Sequence, residues 1–201
     1  MYIPSHFLAS DREEIISFMK RYNFASIITA PGGCPTATHL PFVIVERGAE
    51  LVLISHFAKA NPQWKDIETS QCLVIFAEPH AYISPIHYDK ELNVPTWNYI
   101  AIHAYGLGQI IHDTAKALEI MELSIDAFDS TYRAQWERLP QDYKLKMIQG
   151  IVAFEIVIKD LQGKNKLSQN KSEVERERII TSLSKGSAQE QQIAEYMRKK
   201  D

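Results

Sequence analysis

Along this chain the apolar positions follow two different periods. Residues 24–30 (FASIITA), 38–46 (THLPFVIVE) and 50–57 (ELVLISHF) are short runs rich in β-branched and aromatic residues, separated by Pro31-Gly32-Gly33 and Arg47-Gly48. Runs of this kind bounded by turn residues predict antiparallel strands in a meander, not βαβ units. Further strands are predicted over 71–78 (QCLVIFAE), from Thr96 through Ile111, and over 151–158 (IVAFEIVI), the last ending before Gly163. Pro41 belongs at an edge or bulge, because proline has no amide hydrogen for a ladder. Gly106 and Gly108 mark bend or bulge points in the long strand.

Elsewhere the period is helical. Ser10 with Glu13 has the form of a capping box, opening a helix to about Tyr22 with Ile15, Met19 and Tyr22 on one face. Asn61-Pro62 starts a short helix. Leu118, Met121, Ile125 and Phe128 form a stripe on a helix over 114–128 capped by Asp113, and a second helical piece covers 141–148. Ser172 with Glu175, and Ser187 with Glu190, repeat the capping box, so two charged helices are predicted over about 172–184 and 187–199. Core packing is the ordinary reading of each stripe. The predicted class is α+β, mainly β: six strands forming a small barrel, with peripheral helices and a C-terminal helical tail.

Composition narrows the partners. With 201 residues, 45% of them hydrophobic, the chain suffices for one domain with a small appendage. A net charge of -3 lacks the basic footprint of a protein whose whole body grips nucleic acid, and leaves only local patches. No run reaches the roughly 18 to 20 apolar residues of a membrane span, and no leader pattern opens the chain, so a cytoplasmic protein is expected. Cys34 and Cys72 have no CxxC spacing, and no histidines pair at helical spacing around a glutamate. Neither a disulfide nor a metal site is expected.

Two stretches carry candidate chemistry. Residues 78–106 hold His80, Tyr82, His87, Tyr88, Trp97, Tyr99, His103 and Tyr105, a density of rings suited either to stacking on a flat ligand or to closing a β-rich core. In SHFAKANPQW, Ser55, His56, Lys59 and Asn61 bring hydroxyl, imidazole, ammonium and amide groups to a strand end and a helix start, as a phosphate requires. The competing reading is a solvated strand-to-helix turn. His39 stands where it would reach a ligand edge or be a structural strand histidine. Lys164, Lys166 and Lys171 either face an anion or belong to a solvated loop, and the mixed-charge helix that follows reads as a solvated face.

Six phrases in order (MYIPSHF, HLPF, SHFAKANPQW, HAYISP, VPTWNY with AIHAYG, and GKNKLSQN) are similar to the PaiB-type family of FMN-binding negative transcriptional regulators over nearly the whole length. The resemblance implies a split β-barrel shared with pyridoxamine-phosphate oxidases, a homodimer, and FMN in a groove between subunits. It divides the chain into a flavin-binding domain over 1–170 and a helical appendage over 171–201. The turn with Ser55, His56, Lys59 and Asn61 resembles the oxidases' phosphate cradle, with the arginine fork replaced by a point charge and neutral donors. His39 and Pro41 are then expected near the isoalloxazine, Trp97 and Asn98 on the opposite wall or from the other subunit, and Lys166, Ser168 and Gln169 at the ligand. DNA is the partner implied for a regulator. A flavin-dependent oxidoreductase acting on a small planar substrate and a haem-binding split barrel are the alternative readings.

Overall fold

The computed structural model describes residues 1–199, which form two compact units. One comprises Ile16–Phe76 and His103–Leu161, and the other Met1–Ile15, Ala77–Ile102 and the chain from Gln162. The strands are β1 (Leu8–Ala9), β2 (Phe24–Thr29), β3 (Thr36–Pro41), β4 (Val43–Arg47), β5 (Glu50–Ala58), β6 (Cys72–Phe76), β7 (His80–Ile83), β8 (Thr96–Ile110) and β9 (Ile151–Lys166). The helices are α1 (Arg12–Arg21), α2 (Thr114–Phe128), α3 (Arg133–Arg138), α4 (Gln141–Ile148), α5 (Glu173–Leu183) and α6 (Ala188–Arg198). Strand order is β3-β2-β6-β8-β9-β5-β4, with β1 added on β9 and β7 on β8.

The class is the expected one, α+β and mainly antiparallel β, but the described residues hold nine strands instead of six. Two of the additions, β1 and β7, are short. The third arises because the run over 38–46 breaks at Phe42. Pro41 ends edge strand β3, the Phe42 amide donates to the Asn23 carbonyl at 2.8 Å, and the ring turns inward against Phe76 and Phe154. β4 then pairs with β5, Val43 opposite Ile54, while β3 pairs with β2.

In the larger unit α2 lies against β4 and β5 over a core of Val52, Ile54, Ala117, Ile120, Ile148 and Ala153. Full burial of an aliphatic side chain of this size contributes about 1.5–3 kcal/mol. Asp113 caps α2 as expected, accepting from the Lys116 amide at 2.8 Å. The stripe is shifted, however: Ala117 and Ile120 are buried, Leu118 and Met121 flank them, and Phe128 is exposed, because the core meets only the first turns of the helix. At the start of α1 the cap is Asp11, which accepts from the amides of Glu13 and Glu14, and not Ser10. Gly106 and Gly108 lie inside continuous β8. They serve close approach: a Cβ on Gly106 would stand 2.4 Å from the Val157 carbonyl oxygen, and one on Gly108 2.7 Å from the Ile67 Cβ.

In the smaller unit β1 pairs with the end of β9, Leu8 opposite Lys164, so β9 runs through Gly163 to Lys166 instead of stopping before it. Both C-terminal capping boxes form. The helix read as a solvated face is in part a buried one. Arg176 is almost wholly buried, donating to the carbonyls of Leu167 at 3.1 Å and Met197 at 3.0 Å, and Ile179, Ile193 and Met197 are fully buried around it.

Candidate functional site

In the larger unit, β5 and the turn after it position the four phosphate candidates, and their side chains are used unequally. Ser55 is buried, and its hydroxyl donates to the Pro41 carbonyl at 2.7 Å, so its one hydrogen is committed to holding β3. Asn61 caps the short helical turn Pro62–Lys65, accepting from the Gln63 amide at 3.0 Å, and donates to Thr38 Oγ1 at 2.8 Å. Burial holds the half-buried His56 imidazole below its ordinary pKa, so it is neutral at pH 7. Lys59 is exposed, and no carboxylate among the described residues pairs with it.

Gln63, which the sequence reading passed over, organises this turn. Its amide nitrogen reaches the Ile27 carbonyl, Thr29 Oγ1 and the Thr36 carbonyl, and its oxygen accepts from Thr38 Oγ1 at 2.6 Å. These partners lie 25 to 36 residues away, so no local pattern marks it. His39 is exposed on β3, its Nδ1 2.8 Å from Ser26 Oγ, with Phe24 stacked beside it at 6.4 Å. Lys59 borders a cleft of about 510 Å³ with Trp64, Ile111, His112, Leu145 and Ile151. Ligand pockets of small molecules commonly have about 300–1,000 Å³, mostly apolar walls and a few polar groups. A cation, an indole and an aliphatic wall are the groups that an anionic, planar ligand requires.

In the smaller unit, Trp97 on β8 is half exposed and sits opposite Tyr82 on β7, with Tyr82 and His80 both 5.8 Å from its ring. Asn98, on the other side of the strand, is buried: its oxygen accepts from Ser168 Oγ at 3.1 Å and its nitrogen donates to Met197 Sδ at 3.5 Å. Ser168 has φ +61°, a left-handed conformation uncommon for a residue with a side chain. Gln169 closes the same turn, accepting from the Leu167 amide and donating to the Asn165 carbonyl. Asn98, Ser168 and Gln169 therefore engage one another and their neighbours in a largely buried turn, and Trp97 offers an exposed ring.

Lys166 donates to Thr96 Oγ1, and Lys164, two residues earlier on the same face of β9, donates to the Tyr2 carbonyl at 3.2 Å beneath the Tyr99 ring. Burial holds the Lys166 ammonium below the ordinary lysine range; the nearby Tyr99 phenol opposes this and Lys164 adds to it. Lys164 was read only as one of a run of lysines. The signal that finds it is the spacing in Lys164-Asn165-Lys166, which in a strand turns both ammoniums to one face. Of the remaining rings, Tyr88 lies under the Lys171 ammonium at 3.6 Å, and the His87 carbonyl and Asp89 carboxylate accept from Arg178. Among the described residues no three of His, Cys, Asp and Glu gather as a metal set, and no helix is long and apolar enough to cross a membrane.

Comparison with solved structures defines the class as the split β-barrel found among flavin-binding proteins. The flavocytochrome Anf3 of Azotobacter vinelandii superposes with a TM-score of 0.64 at 17% identity, over 82% of this chain and 72% of that one. The FAD and haem binding protein of Mycobacterium smegmatis does so with 0.59 at 18%, over 79% and 72%. Residues 1–160 match the family described as "Putative FMN-binding domain". The chain is 36% identical to the protease synthase and sporulation protein PAI 2 of Bacillus subtilis over 100% of its own length and 98% of that protein's. It is 32% identical to an uncharacterised protein of Emericella nidulans over 72% and 73%. The chain thus belongs to the PaiB-type FMN-binding family, and FMN is the cofactor its domain is built for.

Proposed function

We propose that this protein is a homodimeric, cytoplasmic FMN-binding regulator of transcription, in which the state of the flavin is passed to DNA or to a protein partner. The Lys59 cleft carries the reading, since it combines an uncompensated cation, an indole and an apolar wall in a chain of an FMN-binding family. When bound, FMN supplies reversible redox chemistry, and the protein supplies binding, orientation and electrostatics. Lys59 holds the phosphate as a point charge. His56, neutral at pH 7, and Asn61 border it, while Ser55 acts indirectly by fixing the Pro41 carbonyl. His39 and Pro41 stand at the ring edge, Trp97 and Lys166 form the second contact set, and Asn98, Ser168 and Gln169 act indirectly by holding the turn behind them. The flavin domain spans 1–170, with 171–201 as the helical appendage.

The B. subtilis relative carries sporulation in its name, protease synthase and sporulation protein PAI 2, which supports a regulatory role. The test is the absorbance spectrum of the isolated protein with FMN titration by fluorescence quenching; no flavin band and no quenching overturn the cofactor assignment. Sedimentation checks the dimer. A gel shift at moderate salt without sequence preference removes direct operator binding. A second reading, a flavin-dependent oxidoreductase, is favoured by the half-exposed Trp97 ring beside Tyr82, which offers a planar substrate a stacking surface. Steady NAD(P)H turnover with an acceptor would establish it.

A further inference from the structure

We infer that Lys164 and Lys166 form a binding site for the anionic group, a carboxylate or phosphate, of a small-molecule ligand other than the flavin. Lys164 is 8% exposed, and among the described residues its ammonium is met by the Tyr2 carbonyl and by the faces of Tyr2 and Tyr99, at 5.9 and 5.2 Å. Lys166, half-buried on the same face of β9, donates to Thr96 Oγ1. Among the described residues no carboxylate pairs with either ammonium. One buried and one half-buried positive charge thus share a strand face with neutral partners, an arrangement whose desolvation and mutual repulsion an anion relieves.

The neutral partners also select for an anion. Thr96 Oγ1 uses a lone pair on Lys166 and keeps its own hydrogen as a donor. The set is therefore two ammoniums and one hydroxyl, and among the described residues no negative group pairs with it to attract a cation or repel a carboxylate. Burial keeps the charge of Lys166 under strain, with Lys164 adding to it, so a bound anion restores its ordinary basicity. The inference goes beyond flavin binding: the phosphate of FMN is assigned to Lys59 in the other unit, so the charge of this pair is left for the anionic group of a second molecule, even where the Lys166 side chain also borders the flavin.

The test is calorimetric titration of wild-type protein, with and without FMN, with inorganic phosphate and separately with acetate at constant ionic strength. The variants are Lys164→Met, Lys166→Met and Lys164→Arg. A charge-assisted hydrogen bond lost from such a site weakens binding about ten- to a hundredfold. The expected result is that one or both anions bind, that both Met variants lose this affinity, that Lys164→Arg retains it, and that FMN affinity is unchanged in Lys164→Met. Acetate alone would identify a carboxylate site and phosphate alone a phosphate site. If Lys164→Met does not fold, Cε-labelled lysine NMR of the wild type gives the same answer, because a bound anion raises the Lys166 titration midpoint. The proposal is overturned if neither anion binds, or if phosphate competes with FMN one for one and FMN affinity falls in Lys164→Met. Anion binding through the pair in a protein that takes no FMN would keep this site and reject the flavin reading.

Discussion

The Ser168 hydroxyl donates to the Asn98 carboxamide oxygen at 3.1 Å, with both residues almost wholly buried and Ser168 in the left-handed region. Removing the hydroxyl leaves a buried acceptor without its donor, which costs about 1–3 kcal/mol. Ser168→Ala is expected to lose that much in denaturant unfolding. Ser168→Gly is expected to lose less, because glycine adopts positive φ without steric cost.

Lys59 is assigned to the flavin phosphate as a point charge. Lys59→Met should therefore weaken FMN binding about tenfold or more, the loss of one charge-assisted contact, and leave riboflavin, which lacks the phosphate, bound as in the wild type. Equal effects on both ligands, read by fluorescence quenching, would move the phosphate elsewhere.

Gln63 satisfies acceptors on β2 and β3 from the turn after β5. Gln63→Leu removes a donor from the Ile27 and Thr36 carbonyls and leaves the Thr38 hydroxyl hydrogen without its acceptor, and a loss of about 1–3 kcal/mol is expected from the unfolding midpoint. The same substitution at exposed Gln109 should be nearly silent.

Gly106→Ala places a methyl 2.4 Å from a backbone oxygen of β9, which cannot move without the strand. Overpacking of this kind costs about 1–3 kcal/mol. Gly150→Ala, where the nearest atom is 3.3 Å away, is the milder comparison, and thermal melting distinguishes the two.

Acid should destabilise the fold in two stages. Burial holds His56 and His103 below the ordinary imidazole pKa of about 6.5, and His103 Nδ1 is buried without a hydrogen-bond partner. Just below pH 6.5 the unfolded chain binds more protons at these groups, so stability falls as pH drops through that window. Amide donors hold Glu175 and Glu190 below the usual carboxylate range, Glu175 through Asp89 and Ser172 and Glu190 through Ser187. Their stabilisation is present above the ordinary glutamate pKa and is lost as pH falls through the lowered values. Denaturant midpoints from about pH 2 to 8 should show both stages, and His103→Phe should flatten the first.

The strands and helices were largely legible because each has its own period and its own caps. Asp113, Ser172 and Ser187 cap the helices that their spacing announced. At Ser10 the pattern failed by one residue, since Asp11 offers a carboxylate nearer the free amides of Glu13 and Glu14. The split at Phe42 was not legible: Pro41 signalled an edge, but the inward turn depends on Phe76 and Phe154, which lie far along the chain. For the candidate site, spacing brought Ser55, His56, Lys59 and Asn61 to one turn. It did not reveal that Ser55 and Asn61 are engaged by Pro41, Gln63 and Thr38.

The sequence by itself determined the element types, the antiparallel character of the sheet and the ordered phrases of the flavin-binding family, all properties carried by neighbouring residues. Only the tertiary structure decided which polar groups remain available to a ligand. Availability depends on partners distant in the chain: Pro41 takes the hydrogen of Ser55, Ser168 takes the oxygen of Asn98, and among the described residues no carboxylate pairs with Lys164, Lys166 or Lys59. Hydrogen-bond capacity is finite, so a residue type announces a chemistry, and its neighbours in space decide whether that chemistry is already used.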